Sequence, residues 1–194
     1  MTLTIAAPVL AARIFPRSRV STAIAVIGFA GLTALSAQFS FRIPPIEVPF
    51  TLQTMAVLLA GGVLGSKAGA ASQGLYVLAG SMGLPVFAEQ SSGYQILTGV
   101  TGGYLVGFIV SAFIVGKMAE HRHDRMILTG FAAFLIGSLV IYGFGVIGLM
   151  VNLGLSFGAA VASGVVPFVF WDVLKALAAG MAMPAAWRVT GEKG

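Results

Sequence analysis

Apolar residues in this chain gather into long runs rather than alternating with polar ones, at residues 20–38, 50–65, 68–83, 99–116, 126–149 and 167–187. The runs carry almost no charge apart from Asp172 and Lys175, while proline and the remaining charged residues collect mostly between them. Runs of this kind read as helices crossing lipid, because a bilayer core takes roughly 20 residues of α-helix and tolerates no unpaired backbone. Several are shorter than that, which local bilayer thinning or burial against neighbouring helices accommodates. The pattern predicts an all-α integral membrane protein with six transmembrane helices in a compact bundle. Residues 20–187 form a single membrane domain in this reading, between a cytoplasmic N-terminal segment over 1–19 and a cytoplasmic tail over 188–194.

Composition agrees with the pattern. Of 194 residues, 58% are hydrophobic and 9% charged, against about 25% charged in a soluble domain. No second, soluble domain fits. With no cysteine, disulfides, thiol catalysis and cysteine metal sites are excluded. The formal charge of +5 suggests nucleic acid, but the basic residues are scattered in ones and twos between apolar runs. Membrane topology explains them better, and no nucleic-acid partner is expected.

In the six-span reading, Arg13, Arg17, Arg19, Lys67, Lys117, Arg122, Arg125, Arg188 and Lys193 fall on one side and only Arg42 on the other. The positive-inside rule then puts both termini in the cytoplasm. Arg13 to Arg19 ahead of an apolar run that ends in Leu35-Ser36-Ala37 also fit a signal peptide, although cleavage leaves five spans and a less regular charge pattern. Three connections lie outside, at 39–49, 84–98 and 150–166, each punctuated by glycine or proline. In the third, Phe157 to Ser163 suit a short surface helix.

A charge near the bilayer centre costs about 2.5–3.5 kcal/mol on insertion scales, so Asp172 and Lys175 call for a reason. They sit one helical turn apart on one face, just after Pro167, where Asp172 suits a helix cap. Two readings stand: an ion pair that only neutralises its own cost, or a ligand site in which Lys175 meets a carboxylate and Asp172 accepts hydrogen bonds. Gln53, in Val48-Pro49-Phe50-Thr51-Leu52-Gln53-Thr54, suits either a cyclic urea or amide ligand or a helix–helix hydrogen bond. Glu89 reads as a solvated loop charge. Tyr94 and Tyr104 fit an interfacial belt or a pocket wall. Ala30 and Ala34 lie on a small-residue face that admits another helix, from within the chain or from a partner. His121, His123 and Asp124 read as a solvated charged turn rather than a metal site. No metal, cofactor or catalytic residue is expected, since no HExxH, nucleophile elbow, Walker loop or dinucleotide fingerprint occurs.

Four segments together resemble the BioY family, the biotin-specific S component of energy-coupling-factor (ECF) transporters. They are Val48-Pro49-Phe50-Thr51-Leu52-Gln53-Thr54, Gly83-Leu84-Pro85-Val86-Phe87, Thr101-Gly102-Gly103-Tyr104-Leu105, and Pro167 with Asp172-Val173-Leu174-Lys175-Ala176. The resemblance implies a six-helix, multi-pass subunit in the plasma membrane of a bacterium. It implies that the chain binds biotin near the outer face and assembles with a transmembrane coupling subunit and two ATPases. It assigns ligand contact to Asp172 and Lys175, a loop contribution to Ser91 and its neighbours, and the coupling contact to Ala30 and Ala34. The family's loop is often glycine-rich with an Asn contact, where this chain has Glu89-Gln90-Ser91-Ser92-Gly93. Val100 replaces a frequent Pro, and Phe170-Trp171 replaces a common Pro-Gly, which offers the Trp171 ring to stack on or shield the ligand. Thr101, Tyr104 and Gln53 complete the expected site. Rival readings are an S component for another small vitamin, and a structural or assembly membrane protein without a ligand.

Overall fold

A computed structural model describes residues 9–16 and 18–191. Arg17 and Lys193, both used in the charge argument, lie outside the described residues. Each of the six apolar runs holds a long helix: α2 (Arg19–Gln38), α3 (Gln53–Leu64), α4 (Ser66–Ser81), α6 (Gly102–Glu120), α7 (Ile127–Leu153) and α9 (Val166–Val189). Short helices α1 (Ala11–Ile14), α5 (Tyr94–Leu97) and α8 (Phe157–Gly164) occur between or before them. The expected surface helix in the third connection is therefore present. Across the first connection β1 (Ser40–Phe41) pairs antiparallel with β2 (Phe50–Thr51).

Four of the helices, α2, α6, α7 and α9, are long and apolar enough to cross a membrane. The 12 residues of α3 are apolar but reach only about 18 Å, against a hydrocarbon core of about 30 Å. Its partner α4 carries Gln73 and Ser72 in the protein interior, where Gln73 bonds Thr33 of α2. Polar groups hidden this way satisfy one another instead of facing lipid.

Helix α6 is central, packing on α3, α4 and α7, while α2 lies against α4 and α3, and α9 against α7 and α3. Close approach of α3, α4 and α6 depends on glycine. A Cβ added to Gly61 would stand 2.5 Å from the Ala112 carbonyl oxygen of α6, and one on Gly69 of α4 would stand 2.8 Å from the Gly61 Cα. At the opposite end of α6 from Gly102, Glu120 accepts from the Ser66 N–H (2.9 Å) and hydroxyl (2.7 Å), holding the first turn of α4.

Two expectations change. Ala30 faces the core at 7% exposure and Ala34 is partly buried against it, because the inward stripe of α2 runs Thr22, Val26, Ala30, Thr33 and Ala37. Small residues here serve packing within the chain. The outward face instead presents Ile24, Ile27, Gly28, Gly31 and Leu35, and a Cβ on either glycine would meet nothing within 4 Å among the described residues. The turn after α6 is not simply solvated: Asp124 is buried and accepts from Trp187 Nε1 at 2.6 Å, and the Arg125 guanidinium lies 3.4 Å over the Trp187 ring. Val9 and Ala11 are fully buried against α2, α3 and α4, so the described part of the N-terminal segment docks onto the bundle.

Candidate functional site

Helix α9 starts at Val166 with Pro167 in its first turn, where a missing N–H costs nothing. Asp172 lies nearly two turns inside, not at the cap, and no side chain caps this helix. Its inward positions recur every three or four residues through Phe168, Asp172, Ala176 and Ala179. Lys175, one turn beyond Asp172, shares that face closely enough for Nζ to reach Asp172 Oδ1 at 2.7 Å.

The pair is the centre of a closed network. Lys175 Nζ also donates to the Thr51 carbonyl (2.7 Å) and to Thr54 Oγ1 (3.0 Å), so its three N–H groups all have acceptors. Thr54 Oγ1 in turn donates a hydrogen bond to Asp172 Oδ1 at 2.9 Å. On the other oxygen, Oδ2, Asp172 accepts from the Tyr142 hydroxyl of α7 at 2.6 Å. The network thus joins β2, α3, α7 and α9. Its charges nearly cancel, as a desolvated pair requires.

These groups form one wall of a cavity of about 110 Å³. Its other walls are largely apolar: Phe168, Leu105, Phe108 and Ile141 from the helices, and Val48, Phe87 and Ile96 from the connections. Phe168 is held by Phe50, ring centres 4.4 Å apart, and Phe50 stacks on Phe41 at 5.1 Å. An apolar cavity with a few convergent polar groups is the usual form of a small-molecule site.

Among the expected site residues, Asp172, Lys175, Gln53, Ser91, Thr101 and Tyr104 all line this cavity. Gln53 Nε2 donates to the Tyr76 hydroxyl at 2.7 Å, binding α3 to α4. Tyr104 donates to the Gly164 carbonyl at 2.7 Å, which ties α6 to the end of α8. A Cβ at Gly164 would collide with Tyr104 Oη and Leu149, so this contact needs glycine. Ser91 turns its hydroxyl onto the Ala88 carbonyl of its own turn, at 2.7 Å. Tyr94 and Trp171 lie elsewhere. Tyr94 is 64% exposed at the start of α5. Trp171 is half exposed, edge-on to Phe170, beside a separate groove with Phe39 and Leu52. It precedes Asp172 by one residue, which on a helix is about 100° of rotation away from the cavity.

Five further polar residues belong to the site: Thr51, Thr54, Tyr76, Tyr142 and Arg42. Arg42 comes from the end of β1 at the exposed rim, donating from Nε to Glu89 Oε1 at 2.6 Å and from Nη1 to the Glu47 carbonyl at 3.0 Å. The Glu89 hydrogen bond raises the Arg42 pKa above its ordinary value, partial burial opposes this, and the charges of Glu89 and Glu47 add to the rise. Glu89 is therefore an ion-paired residue and not merely a solvated one. Arg42 had a signal in the sequence as the lone basic residue on its side of the topology, whereas Tyr142, alone within an apolar run, had none.

Among related proteins, a "Biotin transporter BioY" of Thermotoga maritima is 40% identical over 157 residues, covering 79% of this chain and 88% of the relative. One of the same name from Rhizobium etli is 36% identical over 165 residues, covering 77% and 88%. A crystal structure described as the S-component for biotin from an ECF-type ABC transporter aligns with a TM-score of 0.80 over 91% of this chain and 94% of that one. At 23% identity it shares the fold. The sequence pattern of the BioY family matches residues 8–192, nearly the full length, and the chain belongs to that family.

Proposed function

We propose that this chain captures biotin at the outer face of the cell membrane, as the S component of an ECF transporter. The observation that carries the reading is the closed network of Asp172, Lys175, Thr54 and Tyr142 in the wall of an otherwise apolar cavity. Biotin joins a bicyclic ring, whose urea offers N–H donors and an oxygen acceptor, to an aliphatic tail ending in a carboxylate. Asp172 suits the urea N–H groups and Lys175 the urea oxygen, while Phe168, Phe108 and Ile141 offer apolar contact to ring and tail. The names of the relatives support the same ligand.

Placing the ligand carboxylate at Lys175 is less favourable than the sequence suggested. The Lys175 charge is already balanced by Asp172, so a second carboxylate would leave net negative charge in a desolvated wall, which a neutral urea oxygen does not. Arg42 lies at the exposed rim, where solvent screens charge and its planar fork is free to pass from Glu89 to a ligand carboxylate. The urea therefore faces α9 and the carboxylate faces Arg42.

Transport draws its energy from partners, a transmembrane coupling subunit and two ATPases, since this chain carries no nucleotide-binding motif. The outward face of α2, with open space over Gly28 and Gly31, supports a close helix contact with the coupling subunit. Six crossings with both termini in the cytoplasm complete the reading. Equilibrium binding of radiolabelled biotin to the purified chain tests it: saturable binding that Asp172→Asn abolishes is expected. Tight binding of a different vitamin with none of biotin would overturn the substrate assignment.

A further inference from the structure

The rim of the cavity holds a carboxylate of the protein's own. Glu89 reaches Arg42 with a 2.6 Å hydrogen bond, although its neighbours Ala88 and Ser91 both line the cavity. Its backbone lies in the left-handed region, φ 58 and ψ 34, followed by Gln90 at φ 56. Left-handed backbone is unfavourable for a residue with a Cβ, and two successive residues adopt it in this turn. The base of the turn is anchored: Gln38 Nε2 donates to the Phe87 carbonyl at 3.3 Å, and the Phe87 ring packs edge-on against Tyr76 at 5.4 Å. Ser91 closes it by donating to Ala88. These anchors hold Phe87, Ala88 and Ser91, whereas the Glu89 carboxylate has its hydrogen bond to Arg42.

We propose that Glu89 is a built-in competitor for the ligand's carboxylate, occupying Arg42 until a ligand carboxylate takes its place. This rests on the reading of Arg42 as the carboxylate partner of biotin. The exchange is one carboxylate for another on the same guanidinium, so it leaves the charge of the rim contact unchanged. A ligand without a carboxylate gains nothing from Arg42 and leaves Glu89 where it is. Glu89 thereby sets a threshold that only a carboxylate-bearing ligand crosses, and Arg42 sets the gain for crossing it. Glu47 stands close enough to act on Arg42 by charge, but gives it only a backbone carbonyl as hydrogen-bond partner.

The test measures binding of biotin and of neutral biotin amide to the purified chain and to Glu89→Gln, Glu47→Gln, Arg42→Gln and the Arg42→Gln/Glu89→Gln pair. An exposed ion pair is worth at most about 1 kcal/mol, so Glu89→Gln is expected to tighten biotin by up to about fivefold and leave the amide unchanged. Glu47→Gln has a smaller effect. Arg42→Gln weakens biotin towards the amide, and the double variant behaves like Arg42→Gln alone. The gain from Glu89→Gln shrinks at high salt. Weaker or unchanged biotin binding in Glu89→Gln overturns the competitor role, the weaker result identifying Glu89 as a latch that holds the rim closed. A wild-type chain that binds no biotin overturns the underlying reading of the cavity and this inference with it.

Discussion

At the residue scale, Asp172 and Lys175 are held by partners on several elements. The Asp172 oxygens take donors from Lys175, Thr54 and Tyr142, and Lys175 takes three acceptors, so the site is satisfied before any ligand arrives. Breaking one side of a buried ion pair costs about 3–5 kcal/mol, because the remaining charge stays desolvated and unpaired. Asp172→Asn should therefore lower the melting temperature more than Lys175→Gln does, since Asp172 left alone keeps Thr54 and Tyr142 as donors. The double variant Asp172→Asn/Lys175→Gln carries no charge and is expected to regain most of that stability while biotin binding stays lost. Thermal unfolding and ligand titration on the same three preparations measure both. Recovery of binding along with stability would mean that the pair matters only for packing. Replacing Tyr142 by Phe removes one charge-assisted hydrogen bond without opening the wall, and is expected to cost about 1.5–3 kcal/mol of stability.

At the scale of elements, glycines on different faces predict opposite outcomes from the same substitution. Gly61→Ala places a Cβ against the Ala112 carbonyl of α6, a rigid backbone neighbour, so α3 and α6 must part. Overpacking of this kind costs about 1–3 kcal/mol, and a drop of several degrees in melting temperature is expected. Gly28→Ala adds its methyl to open space on α2 and exchanges a poor helix former for the best one. No loss of stability is expected there, and a loss as large as that of Gly61→Ala would contradict the outward orientation of this face. The same contrast separates folding from assembly. Gly31→Leu should weaken co-purification with the coupling subunit and spare biotin binding, whereas Ala30→Leu forces a larger side chain into the core and should disturb both.

For the whole molecule, the six helices were legible because long apolar runs separated by glycine, proline and charge admit few other folds. Their faces were less so. Ala30 and Ala34 have the small-residue spacing of a contact, but spacing is the same whether the partner is α4 of this chain or a helix of another. Trp171 and Asp172 are neighbours in sequence on opposite sides of the cavity wall, a distinction set by how α9 rolls against α7 and α3. Tyr142 joins the site only because α7 turns it towards α9, which no local pattern records. Which connections face outward rests on charge asymmetry, and a chain without cysteine permits a direct check. Gln95 and Arg122 are both exposed, one in the connection that closes the cavity and one in the turn after α6. With Gln95→Cys, a membrane-impermeant maleimide should label intact cells; with Arg122→Cys, labelling should wait for permeabilisation. The reverse result would invert the topology and turn the cavity mouth to the cytoplasm. Both cysteines reacting from the same side would mean instead that α6, the one long helix between the two positions, does not cross.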